Sequence, residues 1–104
     1  MSKLNGSWKL TMHTYMGDMR STLYFTVEGE KLTGYCIDAG NGARGEIENG
    51  VTDGTKYEYD LTIKTPVGEL TNHLTGTLGE DDVIHGSSTN PMGSFDFDAV
   101  RGEF

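Results

Sequence analysis

The sequence predicts an all-β fold: an eight-stranded antiparallel up-and-down meander barrel, with a two-sheet β-sandwich as the alternative. Three observations lead there. Apolar residues recur at every second position along nearly the whole chain, and the 3.6-residue period of an amphipathic helix is almost absent. Glycine supplies 15 of the 104 residues and proline only two, a composition of many turns and bulges. The alternating stretches are joined by short loops, which connect antiparallel neighbours into a meander. Closing eight such strands into a barrel removes both exposed sheet edges.

The first strand alternates Trp8, Leu10 and Met12 with Lys9, Thr11 and His13. After Met16-Gly17-Asp18, Leu23, Phe25 and Val27 mark the second strand. Glu28-Gly29-Glu30-Lys31 turns the chain into Leu32 to Ile37, and a glycine-rich loop around Gly40 and Gly42 leads to a short fourth strand, Arg44 to Glu48. Asn49-Gly50 and Asp53-Gly54 read as turn dipeptides. Tyr57, Tyr59, Leu61 and Ile63 make the fifth strand, ended by Pro66-Val67-Gly68. Leu70 to Leu78, Val83 to Thr89, and Phe95, Phe97 and Ala99 complete the set. Residues 1–104 form one domain on this pattern. Tyr15-Met16-Gly17-Asp18, Pro66-Val67-Gly68-Glu69 and Pro91-Met92-Gly93-Ser94 echo one another at equivalent hairpins.

Charge and cysteine content narrow the function. Eight Lys+Arg against 16 Asp+Glu give a net charge of -8, which argues against nucleic acid or an anionic membrane as partner. No apolar run approaches the roughly 18 residues of a spanning helix. The start, Met1 to Gly6, lacks the apolar segment of a signal peptide, so the expected location is the cytoplasm. The lone Cys36 excludes an internal disulfide and a cysteine-based zinc site. His13, His73 and His85 fall on the outward face by parity, so no metal and no cofactor is expected.

Gly6-Ser7-Trp8, at the head of the first strand, resembles the Gly-x-Trp signature of calycins, the superfamily of lipocalins, fatty-acid-binding proteins and avidins. Such barrels often carry a basic residue over that tryptophan from the last strand, where this chain has Arg101. Leu32-Thr33-Gly34-Tyr35 is similar to the early strands of avidin-like barrels. The Pro-Met-Gly and turn-Leu-x-Gly units are similar to small bacterial barrel domains that stand alone or are appended to larger enzymes. The resemblance implies a barrel that binds small molecules in its interior, and no particular ligand.

Alternation also names inward polar residues. Asp38, Tyr57, Tyr59, Asn72 and Ser88 continue apolar faces. Buried polar groups without partners cost about 1–3 kcal/mol each, so several on one face point to a wet cavity or a ligand. The leading expectation is a pocket for an apolar or planar organic ligand, lined by Trp8, Met12, Phe25, Tyr57, Tyr59, Asn72, Ser88 and Phe97, with Arg101 alongside. A second is a cofactor-independent isomerase or racemase, with Asp38 as general base and Tyr57, Tyr59 or Asn72 as donors. Asp38 suits better the exposed start of the glycine-rich loop, and Asn72 and Ser88 also suit positions near a barrel mouth. A third is an assembly module, a homodimer or an attachment to a larger partner enzyme, through Tyr24, Tyr35 and Ile37 on the outer face. Both pocket hypotheses require a cavity beside Asn72 and Ser88, and the short chain requires it to be small.

Overall fold

The structure, a computed structural model, describes residues 3–15, 17–40, 42–65, 68–91 and 93–104, with backbone alone for 63–65. The hairpin positions Met16, Pro66, Val67 and Met92, and the inward assignment of Ile63, lie outside the described residues and side chains.

Eight strands form: β1 (Gly6–Thr14), β2 (Gly17–Glu28), β3 (Lys31–Asp38), β4 (Arg44–Thr52), β5 (Lys56–Thr65), β6 (Gly68–Leu78), β7 (Ile84–Asn90) and β8 (Gly93–Arg101). Each pairs antiparallel with the next, and β8 returns to β1 with Trp8 opposite Arg101 and Met12 opposite Phe97. The sheet is therefore a closed up-and-down barrel and not a two-sheet sandwich. Side chains alternate across its wall with the period of a pleated strand: along β6, Asn72, Leu74, Gly76 and Leu78 are buried while Thr71, His73, Thr75 and Thr77 are exposed.

One turn expected from the sequence is absent. Asn49-Gly50 lies inside β4, where the register to both β3 and β5 shifts. Asn49 takes φ 54°, and the pair forms a bulge instead of ending the strand. A side chain on Gly50 would place its Cβ 2.1 Å from the Leu32 carbonyl oxygen. The dipeptide's tolerance of positive φ is used, as the sequence implied, but to bend a continuous strand.

The barrel interior has two different ends. At one, where the β2–β3, β4–β5 and β6–β7 loops lie, the N-terminal segment forms a plug. Leu4 is wholly buried, and its carbonyl accepts a 3.0 Å hydrogen bond from Trp8 Nε1. The Asn5 side-chain carbonyl accepts from Val27 N at 2.6 Å. Arg101 sits 4.3 Å from the centre of the Trp8 ring system, pairs with Asp82 at 3.0 Å, and donates to the carbonyls of Lys3 and Asn5. This single guanidinium joins the plug, the first strand and the β6–β7 turn.

Above the plug the core is aromatic. Tyr57 and Tyr59 stack with centroids 5.6 Å apart, and Phe25 meets Tyr57 edge-on at 5.2 Å. The glycines opposite them make the room. A Cβ on Gly76 would stand 2.5 Å from the Tyr57 ring, and one on Gly86 2.7 Å from Phe97 and 2.1 Å from the Thr75 carbonyl oxygen. Bulk on β5 and β8 is thus matched by vacancy on β6 and β7, the interdigitation a dense core demands.

Candidate functional site

Packing stops halfway up the barrel. At the end formed by the β1–β2, β3–β4, β5–β6 and β7–β8 connections, a cavity of about 370 Å³ opens, with residues from all eight strands in its wall. It lies beside Asn72 and Ser88, where both pocket hypotheses needed it. Its volume is at the small end of the roughly 300–1,000 Å³ typical of organic-ligand sites.

The wall has two faces. Leu10, Met12, Leu23 and Cys36 make an apolar side on β1 to β3. Opposite, β5 to β7 carry Tyr59, Asn72, Ser88 and Asn90, set among Leu61 and Leu74. The register explains the polar strip. Tyr59 pairs with Leu74, and Leu74 with Ser88, so the two hydroxyl residues flank one leucine in a single row. Leu61 pairs with Asn72 in the row above, where Asn90 Nδ2 donates to Asn72 Oδ1 at 2.8 Å.

Two hydroxyls of that strip are anomalous. Tyr59 Oη and Ser88 Oγ are buried and have no hydrogen-bond partner among the described residues, and the same holds for Tyr57 Oη below them. Burial raises the Tyr59 phenol well above its ordinary pKa, with the neighbouring Tyr57 and Cys36 adding to it. Burial likewise raises Tyr57 and Cys36. At neutral pH all three stay protonated, so the two phenols are donors and the thiol is a poor nucleophile.

The rim differs from the floor. Tyr15 and Met19 are exposed there, and Tyr15 leans on Phe95 with centroids 5.8 Å apart. Among the described residues, the charged ones that line the cavity are Asp38 and Arg44, which flank the β3–β4 connection at the mouth. Asp38 is half-buried and holds the Gly40 N–H at 2.7 Å, an Asx-type loop contact. Arg44 pairs with Glu46 at 2.6 Å and lies 3.9 Å over the Tyr35 ring.

Of the residues singled out from sequence, Met12, Asp38, Tyr59, Asn72 and Ser88 line the cavity. Trp8, Phe25, Tyr57 and Phe97 are buried in the packed half, and Arg101 covers Trp8 at the plug, so none of these five contributes to the cavity wall. Of the expected base and donors, Asp38, Tyr59 and Asn72 therefore share one wall and Tyr57 does not. Parity separates inside from outside but carries no depth. Ser21 and Asn90, which extend the inward series of Leu23 and Ser88 by one step, were reachable by the same rule and join the wall.

On the outer surface, Tyr24 and Tyr35 stack at 4.7 Å beneath Arg44, and Ile37 is half-buried. The outward histidines all have acidic partners, which spacing alone did not disclose. His13 bonds Asp18 and Asp98 at 3.0 Å each, His85 bonds Asp98 at 2.9 Å, and His73 bonds Asp60 at 2.7 Å.

Fold and cavity together define a small closed β-barrel with one plugged end and one open, largely apolar end. Neither a family model nor a curated protein matches the sequence. A solved structure of a redesigned β-barrel is similar, with a TM-score of 0.75 and 17% identity over 97% of this chain and 93% of that one. That likeness carries the fold.

Proposed function

We propose that the chain is a small-molecule-binding barrel of calycin-like habit that holds an apolar or planar organic ligand in its open end. The observation that supports this is the cavity: about 370 Å³, reached through one mouth, and walled chiefly by leucine, methionine and aromatic side chains. Removing apolar ligand surface from water contributes about 25 cal/mol per Å², and a preformed cup spares the cost of ordering the wall. The isomerase alternative keeps Asp38, Tyr59 and Asn72 in the same wall, but Asp38 sits at the mouth and holds the Gly40 N–H, which favours the binding reading.

The test is a titration with naphthalene, followed through the methyl resonances of the protein. Saturable shifts confined to Leu10, Leu23, Leu61 and Leu74 are expected. Shifts that fail to saturate, or that fall on the packed half instead, would reject the cup as a binding site.

A further inference from the structure

The two-sided wall carries information about the ligand's chemistry. This step rests on the cup being a binding site. We infer that its ligand is a neutral planar molecule with a carbonyl-type hydrogen-bond acceptor on one edge and hydrocarbon on the other, the acceptor facing Tyr59 and Ser88.

Tyr59 Oη and Ser88 Oγ are donors without partners among the described residues, in side chains with no exposed surface. Such groups are left unpaired in folded proteins only rarely, and when they are, an unrecorded partner is the usual reason. Both residues belong to the cavity wall and flank Leu74 in one row. Two strand spacings separate them, roughly 10 Å between backbones. A serine hydroxyl changes staggered wells with one χ1 rotation, which brings Oγ to the cavity surface when an acceptor arrives. The Asn72–Asn90 amide pair extends the polar edge one row toward the mouth.

Charge is excluded by position. Among the described residues of the wall, only Asp38 and Arg44 are charged, and both sit at the mouth. An anion or cation carried down to Tyr59 and Ser88 would be desolvated with no counter-charge. The opposite side is mostly apolar, with Leu10, Met12, Leu23 and Cys36, although Thr14, Ser21 and Asp38 also belong to it; unlike Tyr59 and Ser88, none of these three is a wholly buried, unpartnered hydroxyl.

The experiment uses three probes of one shape: 2-acetylnaphthalene, its alkene isostere 2-isopropenylnaphthalene, and 2-naphthoate. Each is titrated calorimetrically into the wild type, Tyr59→Phe and the Tyr59→Phe/Ser88→Ala double variant. In the wild type the ketone is expected to bind about tenfold tighter than the alkene, equivalent to about 1.4 kcal/mol. Naphthoate is expected to bind at least about 100-fold more weakly than the ketone. The double variant should abolish the ketone's advantage and leave alkene affinity equal or higher. Equal ketone and alkene affinity in the wild type overturns the inference while leaving the cup intact, as does naphthoate binding as tightly as the ketone. A ketone advantage that survives in the double variant moves the acceptor away from Tyr59 and Ser88 and also overturns it. Failure of both neutral probes to bind rejects the underlying binding function instead.

Discussion

Replacing Tyr59 by Phe should make the unliganded protein more stable, the opposite of the usual outcome for a change in a buried core. The Tyr59 side chain is wholly buried, its ring stacks on Tyr57 at 5.6 Å, and it meets Phe25 edge-on at 5.9 Å. Phenylalanine keeps all of those contacts. What disappears is a hydroxyl with no partner among the described residues, whose desolvation costs about 1–3 kcal/mol. Against this stands a void of one oxygen atom, on the order of a few tenths of a kcal/mol at about 24 cal/mol per Å³. The net expectation is a gain of about 1–2 kcal/mol. For a domain of this size that is a melting-temperature rise of roughly 5–15 °C. Urea unfolding at constant m-value is the assay. A loss of stability, or a change within about 0.3 kcal/mol, would refute the reasoning, because it would mean that the hydroxyl is already satisfied in the unliganded fold.

Tyr57→Phe is the matched control: its hydroxyl is also unpartnered but lies outside the cavity wall, so stability should rise by about 1–2 kcal/mol with 2-acetylnaphthalene affinity unchanged by calorimetry. Leu4→Ala should cost about 2–5 kcal/mol in urea unfolding, since the plug residue is fully buried while the Trp8 hydrogen bond to its backbone carbonyl survives. Gly86→Ala should cost about 3 kcal/mol, and Phe97→Leu should not rescue it, because the nearer obstacle is the Thr75 carbonyl oxygen. Stability at low salt should be highest between about pH 4 and 6.5 and flatten when salt is added, as melting temperatures across pH would show. Hydrogen bonds to Asp98 and Asp18 raise His13 above 6.5, so its contribution is complete below 6.5 and is lost as pH climbs through the folded value. Histidine contacts hold Asp98 and Asp60 below 3.8, so theirs is complete above 3.8 and is lost as pH falls through the folded values.

The topology was legible because alternation and short loops are local signals, and eight of them in series leave few ways to avoid exposed edges. Trp8 facing Arg101 was expected from the resemblance to calycin barrels, in which a basic residue of the last strand often covers that tryptophan. The Asn49-Gly50 bulge was not, because a dipeptide that permits positive φ serves a turn or a bulge equally, and only the register with Leu32 on β3 decides between them. The site was legible in half. Parity placed Met12, Tyr59, Asn72 and Ser88 inward, and they line the cavity; it also placed Trp8, Phe25, Tyr57 and Phe97 inward, and they fill the core beneath it. Depth depends on strand stagger and on which end the N-terminal segment plugs. Leu4, which decides the second point, precedes the first strand and belongs to no alternating pattern. Gly76 and Gly86 mark where Tyr57 and Phe97 needed space, which alternation alone did not show.

The central claim is that the open half of this barrel is a preformed site for a neutral planar molecule, and a crystal structure of the complex with 2-acetylnaphthalene tests it most directly. The ring system is expected between Leu10 and Leu23 on one side and Leu74 on the other, with the ketone oxygen within hydrogen-bond distance of Tyr59 Oη or Ser88 Oγ. A naphthyl ring bound on the outer wall, or an interior closed by Met12 and Met19 with no room for it, would contradict the account.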